Sequence, residues 1–95
     1  MATVSWADGA IRQLAEIADH IRRFDPAATD RMAERLIRAG DSLSTFPNRG
    51  RPADGGIREM PGVPPYIIRY CVEDGDVLII GVRHGARRPK PIDAS

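Results

Sequence analysis

A β-hairpin in the C-terminal third constrains the fold of this chain more than any other feature. Two apolar runs, residues 66–72 and 77–84, flank the segment Glu73-Asp74-Gly75-Asp76. An Asp-Gly pair between two such runs is the strongest short-range hairpin signal, because these residue types tolerate the positive φ angles of a tight turn. The sequence therefore predicts two antiparallel strands joined at Asp74-Gly75.

The predicted register divides the hairpin residues between two faces of a sheet. A two-residue turn places Val72 opposite Val77 and Tyr70 opposite Ile79, and side chains alternate along each strand. One face then carries Tyr66, Ile68, Tyr70, Val72, Val77 and Ile79. The other face carries Ile67, Arg69, Cys71, Leu78, Ile80, Val82 and His84. Both predicted faces are largely apolar, so each of them needs a cover.

Two amphipathic helices precede the hairpin. Apolar residues recur at helical spacing over residues 8–24, where Asp8 is a candidate N-cap. Asp25-Pro26 then ends this helix and begins the next, with Asp25 as the cap. An apolar seam over residues 26–46 predicts the second helix. Gly40 either weakens this helix or allows a close approach, and the sequence leaves both open.

The order of these elements predicts an α+β domain. Residues 3–6 are expected to form a short first strand, and another is expected within the Gly- and Pro-rich segment 48–65. The order is then β-α-α-β-β-β, with a helical hairpin packed on a small, mainly antiparallel sheet. The length predicts a single domain, residues 1–95, in which 89–95 form a flexible tail.

One face of the hairpin is expected to remain open after the helices have packed. Tyr66 and Tyr70 offer large areas for burial, so the aromatic face is the one predicted to contact the helices. The other face would be an aliphatic floor with Arg69 at its centre. We expect it to be covered either by a segment of a partner protein that offers a carboxylate to Arg69, or by the chain's own Pro- and Gly-rich loop. The sequence favours neither cover.

Composition excludes several classes of protein. Hydrophobic residues make up 42% and charged residues 28% of the chain, as in ordinary globular domains. No stretch approaches the ~20 apolar residues of a transmembrane helix, and no signal pattern is present, so the protein is expected in the cytoplasm without a membrane partner. Cys71 is the only cysteine, which excludes an intramolecular disulfide and a multi-cysteine metal site. We expect neither a metal nor another cofactor.

A basic segment follows the hairpin. The net charge is only +1, but cations crowd residues 83–90. A local basic patch attracts nucleic acid or an acidic protein surface even on a nearly neutral molecule. The target-binding residues predicted on this ground are Arg83, His84, Arg87 and Arg88. A plain solvated tail, with His84 in a structural role at the strand end, is the alternative.

Several short segments match the pattern of a known family when they are taken in chain order. They are Trp6-Ala7, Asp25-Pro26-Ala27-Ala28, Leu43-Ser44-Thr45-Phe46-Pro47, Gly50-Arg51-Pro52, Ile57-Arg58-Glu59-Met60, Tyr66-Ile67-Ile68-Arg69-Tyr70 and Val82-Arg83-His84-Gly85-Ala86-Arg87. Together they cover about residues 3–88 and resemble the RelE/ParE toxin superfamily. The resemblance implies the toxin of a type II toxin–antitoxin system, which a disordered antitoxin segment wraps and silences in a hetero-oligomer.

The resemblance implies one of two modes of action. RelE-like members cut messenger RNA in the ribosomal A site, whereas ParE-like members poison DNA gyrase without being hydrolases. RelE-like toxins usually carry Tyr-Arg-x-x-Tyr in the hairpin strand and a late tyrosine, but here Ile67 stands at the equivalent position and nothing aromatic follows Tyr70. Gly50-Arg51-Pro52 and His84-Gly85-Ala86-Arg87 look more like the ParE branch. The preferred prediction is a gyrase-poisoning toxin neutralised by a ParD-like antitoxin.

Two alternatives remain open beside this prediction. In a RelE-like endoribonuclease, attack by the 2′-hydroxyl requires an acid, a base and cations around the phosphate. His84 would be the acid or base, with Arg51, Arg58 and Arg69 around the phosphate. The second alternative is an inactive module that only binds the antitoxin. The antitoxin-binding residues are expected on the open face, namely Ile67, Arg69, Leu78, Ile80 and Val82.

Overall fold

Two helices pack on one face of a five-stranded sheet in the computed structural model, which describes residues 2–85. The elements are β1 (Val4–Trp6), α1 (Asp8–Phe24), α2 (Pro26–Asp41), β2 (Arg51–Pro52), β3 (Arg58–Pro61), β4 (Tyr66–Glu73) and β5 (Asp76–His84). The strand order is β1-β5-β4-β3-β2, in which β1 runs parallel to β5 and the other pairs are antiparallel. The predicted α+β class is confirmed, and the structure adds the two-residue strand β2.

The predicted bounds of α1, residues 8–24, are confirmed, whereas α2 ends earlier than predicted. Asp25 accepts a hydrogen bond from the Ala28 backbone N–H through Oδ1 at 3.2 Å, so the predicted cap of α2 is confirmed. The predicted cap of α1 is wrong, because Ala7 is the capping residue and Asp8 is already helical. Helix α2 ends at Asp41 rather than at residue 46, and a 3-10 turn follows it. The tighter turn breaks the helical period, so the seam does not continue as predicted.

Gly40 serves a close approach between α2 and the sheet. A Cβ atom at this position would lie 2.5 Å from Trp6 Cζ2 and 2.8 Å from Ile79 Cδ1. Both distances are shorter than van der Waals contact, so only glycine lets α2 pack this tightly on β1 and β5. The structure therefore decides the question that the sequence left open.

The core lies between the helices and the predicted aromatic face. Tyr70, Ile68, Ile79, Leu36 and Leu43 are completely buried. They come from β4, β5, α2 and the 3-10 turn after α2. Assignment of the aromatic face to the helices is therefore confirmed.

The hairpin register near the turn is as predicted. The paired residues are Glu73 and Asp76, Val72 and Val77, Cys71 and Leu78, and Tyr70 and Ile79. Asp74 and Gly75 both adopt positive φ angles, of 52° and 82°, as a tight turn with the right-handed strand twist requires.

A β-bulge beyond this point inverts the predicted faces of the end of β5. The residue paired with Arg69 is Gly81, so Ile80 is the extra residue between two pairs. An extra residue shifts the alternation of side chains by one position. Val82 pairs with Ile68 and His84 with Tyr66, on the helix side. The prediction that Val82 and His84 lie on the open face is therefore wrong.

No helix within residues 2–85 is long and apolar enough to span a membrane. In the same range, no group of three or more His, Cys, Asp or Glu side chains is arranged to hold a metal ion. The predicted tail, residues 89–95, lies outside the described part of the chain.

Candidate functional site on the open face of the sheet

The face of the sheet opposite the helices, called the open face below, brings three arginines around one glutamate. Glu59 of β3 pairs with Arg51 of β2 on one side and with Arg69 of β4 on the other. Directly paired residues share a face, and Arg83 of β5 reaches across to the same carboxylate. The register also assigns Ile67, Cys71 and Leu78 to this face.

The carboxylate of Glu59 is held by two of these arginines. Arg83 donates from Nη2 to Oε1 at 3.2 Å and from Nε to Oε2 at 3.3 Å, which is a two-pronged contact of guanidinium and carboxylate. Arg69 Nε lies 3.2 Å from Glu59 Oε2. The exposed fractions of the side chains are 13% for Glu59, 18% for Arg83 and 30% for Arg69. Solvent therefore screens these ion pairs only in part.

The cluster lowers the pKa of the Glu59 carboxyl. The hydrogen bond from Arg83 is the largest cause, and the positive charges of Arg83, Arg69 and Arg51 act in the same direction. Partial burial opposes them, because it disfavours the charged form. The net lowering keeps Glu59 ionised to a lower pH than an ordinary glutamate.

Arg69 has one buried nitrogen that is not hydrogen-bonded within the described part of the chain. Its Nε atom is buried and has no hydrogen-bond partner among residues 2–85, although it lies within ion-pair distance of Glu59. The sequence predicted Arg69 at the centre of an open face, available to the carboxylate of a partner. The structure shows that an internal carboxylate already stands beside it.

The rest of the open face is apolar and only partly buried. Leu78 is 40% exposed, and Ile67, Cys71 and the bulge residue Ile80 are half-buried. The face is therefore a mixture of an aliphatic strip and a charged cluster, and the prediction of an aliphatic floor with one central arginine is too simple. Because of the bulge, Arg83 pairs with Ile67 on this face, where the predicted register would have placed Val82.

The Pro- and Gly-rich segment does not lie across this face as the sequence allowed. It extends the sheet at its edge through β2 and β3 and packs Val63 into the cluster around Leu36 on the helix side. Within residues 2–85 this segment therefore widens the open face and does not cover it.

Gly50 fixes the position of Arg51 at the sheet edge. The backbone N–H of Gly50 donates to the buried hydroxyl of Tyr70 at 2.7 Å. A Cβ atom on Gly50 would lie 2.7 Å from that oxygen and 3.0 Å from the backbone carbonyl oxygen of Glu59. The Gly50-Arg51-Pro52 segment is therefore packed against the core through its glycine, and it presents Arg51 next to Glu59.

The four residues that an RNA-cleaving site would use are not brought together. Arg51 and Arg69 lie on the open face, whereas His84 lies on the helix side. Arg58 pairs with the core residue Tyr70 and donates to the backbone oxygens of Gly50 at 2.6 Å and Asn48 at 3.4 Å. Its role within residues 2–85 is to hold the loop before β2.

His84 lines a cleft between α1 and β5. Its ring contacts Tyr66 edge to face, with centroids 5.5 Å apart. The cleft has a volume of about 410 Å³ and is lined by Gln13, Glu16, Ile17, His20, Tyr66, Val82, Arg83 and His84. Gln13 accepts a hydrogen bond from the Val82 backbone N–H at 2.8 Å and so joins the helix to the strand.

The residues predicted to bind the target are also divided between the two faces of the sheet. Arg83 turns to Glu59 on the open face and His84 turns to Tyr66 on the helix side. Arg87 and Arg88 lie outside the described residues. Glu59 was not among the site residues predicted from the sequence, and the signal that could have found it is its position in a strand expected next to that of Arg69.

The comparisons with known proteins agree with this architecture. A family model described as the ParE toxin of the type II toxin–antitoxin system parDE matches residues 4–89. Toxin RelE2 of Caulobacter vibrioides is 51% identical over 92% of this chain and 99% of its own length. The protein Y4kP of Sinorhizobium fredii is 37% identical over 85% of each chain.

A solved structure titled as the chromosomal ParDE toxin–antitoxin system from P. aeruginosa superposes with a TM-score of 0.81. It covers 88% of this chain and 96% of the other, at 20% identity. At this identity the likeness concerns the fold.

Proposed function

We propose a mode of action for this chain, which belongs to the ParE toxin family of type II toxin–antitoxin systems. The toxin acts by binding a protein target, DNA gyrase, and does not cleave RNA. The names of the similar proteins point in both directions, since one is called RelE2 and the family model is called ParE. The choice between the two targets therefore depends on the residues of this chain.

The observation that carries the proposal is the division of the nuclease candidates between two sides of the sheet. An acid or base must stand within hydrogen-bond reach of the atom that it protonates or deprotonates. His84 lies on the helix side, whereas Arg51 and Arg69 lie on the open face with Glu59 between them. A phosphodiester on the open face would meet arginines but no histidine from the described residues.

The test is a pair of assays on the purified toxin. We expect the toxin to block DNA supercoiling by gyrase and to leave messenger RNA intact in a translating extract, as judged by primer extension. The same toxin mixed with its antitoxin is the control and should restore supercoiling. Message cuts at the ribosomal A site that disappear in a His84→Ala variant would overturn the proposal in favour of the endoribonuclease. A toxin that does neither would support the inactive antitoxin-binding module.

The neutralising antitoxin, which membership of the family implies, is proposed to cover the open face. The supporting feature is an exposed apolar strip beside a cluster with an excess of arginine, which suits a segment with apolar and acidic side chains. The proposed contacts are Ile67, Arg69, Leu78 and Ile80. Val82, which the sequence also predicted as a contact, is not one of them because it is buried under the helices. Burial of the strip on binding would order a segment that is disordered alone.

A matched pair of substitutions tests this contact. Leu78 on the open face and Ile37 on α2 are 40% and 42% exposed, so each tolerates a charge to a similar degree. We expect Leu78→Asp to weaken antitoxin binding at least about tenfold, as loss of a central apolar contact does, and Ile37→Asp to leave it near wild type. Calorimetric titration measures both affinities. The reverse order would place the antitoxin on the helices.

The basic segment is proposed as the surface that meets the target. In the sequence, Arg87 and Arg88 come three and four residues after His84, the last residue of β5. A local group of cations attracts an acidic protein surface. Alanine at both positions should abolish gyrase inhibition and leave antitoxin affinity nearly unchanged. Alanine at the exposed helical residues Arg12 and Arg31 removes the same charge and is the control. Loss of both activities in the Arg87 and Arg88 variant would show that target and antitoxin share one surface.

A further inference from the structure

We propose that Glu59 is a specificity-determining residue that excludes the phosphodiester backbone of RNA from the open face. This inference rests on the proposed function, because it explains how a toxin with arginines on an open sheet acts on a protein and not on RNA. It concerns the glutamate itself, which sequence reasoning did not single out.

Glu59 lies where a phosphate bound to Arg83 would lie. Arg83 approaches Glu59 with two nearly equal contacts, Nη2 to Oε1 at 3.2 Å and Nε to Oε2 at 3.3 Å. Arginine uses the same fork to bind a phosphate, whose oxygens are spaced much like those of a carboxylate. The Glu59 carboxylate therefore occupies the position on Arg83 that a phosphate would take.

The negative charge of Glu59 opposes the binding of a phosphate at this cluster. Arg51, Arg69 and Arg83 alone would place three positive charges on one face, a pattern that binds nucleic acid backbones. Glu59 stands at the centre of the three, paired in register with Arg51 and Arg69 and bound by Arg83. Its charge repels an incoming phosphate at the point where the arginines would otherwise attract it most strongly.

Glu59 is fixed in place by its surroundings. Its side chain is only 13% exposed, and each carboxylate oxygen contacts a guanidinium. The residue belongs to β3, which is paired on both sides by β2 and β4. A partner cannot displace the carboxylate without leaving it buried and unpaired, which is strongly unfavourable.

The open face can therefore accept a protein segment and exclude RNA, because the two differ in where they carry negative charge. A protein segment can contact the apolar strip of Ile67 and Leu78 without placing an anion on the centre of the cluster. A single-stranded RNA has a phosphate at every nucleotide and must bring one near Glu59. Exclusion of RNA thus follows from one carboxylate in the middle of an otherwise cationic group.

The test replaces Glu59 by its neutral isostere in the full-length toxin. Binding of a fluorescein-labelled, single-stranded RNA oligonucleotide is measured by anisotropy at low and at physiological salt. We expect Glu59→Gln to bind RNA about tenfold more tightly than wild type, with a steeper dependence on salt, because an additional phosphate contact releases counterions. Glu73→Gln removes the same charge at the exposed end of β4 and should remain at the wild-type affinity.

A further variant tests whether the RNA affinity gained in Glu59→Gln depends on Arg83. Arg83→Gln in the Glu59→Gln background should return the affinity to that of wild type, since the fork is lost. Equal RNA affinity of Glu59→Gln and Glu73→Gln, with both variants folded by circular dichroism, would overturn the inference. Wild-type toxin that already binds RNA as tightly as Glu59→Gln would also overturn it. If Glu59→Gln does not fold, Glu59→Ala is measured against the same control, with the same expectation and the same refuting result.

The outcome is separable from that of the proposed function. Gyrase inhibition by wild type together with no gain of RNA affinity in Glu59→Gln would remove the inference and leave the proposed function standing. Cleavage of message by wild type would remove the proposed function, whatever the Glu59 variants bind.

Discussion

The two faces of the sheet are formed by the same strands but differ in what stabilises them. On the helix side, Tyr70 and Ile79 are completely buried in a continuous apolar core. On the open face, their neighbours Arg69 and Leu78 are 30% exposed at the side chain and 40% exposed, respectively. The helix side is held by close packing, and the open face is held by ion pairs around Glu59. The packed core and the proposed recognition surface thus lie on opposite sides of one sheet.

The largest expected effect contrasts two adjacent residues of β5. Ile79→Ala should lower the free energy of unfolding by about 3 kcal/mol, because it leaves a cavity in a fully buried site. Leu78→Ala on the other face should lower it by about 1 kcal/mol or less. Urea unfolding followed by circular dichroism measures both. Equal losses would mean that the open face is packed like a core and that the comparison is wrong.

An intermediate effect is expected at the buried hydroxyl of Tyr70, which binds the loop before β2 at the edge of the sheet. Tyr70→Phe removes the hydroxyl that accepts the Gly50 N–H at 2.7 Å, and a buried N–H without a partner costs about 1–3 kcal/mol. Tyr66→Phe is the matched control, since Tyr66 is also a buried tyrosine of β4 and its ring packs edge to face on His84, a contact that phenylalanine keeps. Both are measured by urea unfolding. A larger loss in Tyr66→Phe would show that the Tyr70 hydroxyl does not hold the Gly50 loop.

The smallest expected effect is the contribution of Glu59, on the open face, to the pH dependence of the free energy of unfolding. The pKa of Glu59 is lowered in the folded protein, chiefly by its hydrogen bond with Arg83. A carboxyl with a depressed folded pKa contributes stability above its unfolded pKa and loses it as pH falls through the folded value. Wild type should therefore lose stability relative to Glu59→Gln below about pH 4, by no more than about 1 kcal/mol.

Thermal unfolding across the acid range measures this difference, with Glu73→Gln as the control for the loss of one carboxylate. Parallel curves for wild type and Glu59→Gln would show that the ion pairs contribute nothing to folding. The charged cluster of the open face would then have no part in the stability of the fold.

Local sequence was enough for much of the scaffold. Asp25 and Pro26 set the junction of the two helices, since capping and the fixed φ of proline are properties of neighbouring residues. The alternation of Tyr66, Ile68 and Tyr70 assigned the face that the helices bury. The Asp74-Gly75 turn set the register of the first four pairs of the hairpin.

The candidate site was harder to predict, because it depends on one residue of register. The parallel partner of β5 ends at the pair of Trp6 and Ile79, and the bulge residue Ile80 follows directly. Beyond it, Gln13 of α1 accepts the Val82 N–H in place of a strand. A side chain of α1, distant in the sequence, thus takes the hydrogen bond that a neighbouring strand would otherwise accept. No local pattern in the residues of β5 predicts this bond or the bulge.

The sequence by itself determined the hairpin, the paired helices and the buried aromatic face, because each depends on side-chain periodicity and on capping or turn residues a few positions apart. Only the tertiary structure decided which way Val82, Arg83 and His84 point and that Glu59 meets three arginines. These outcomes depend on which strands lie side by side and on where a bulge interrupts their pairing. Side-chain alternation has a period of two, so a single extra residue exchanges the faces.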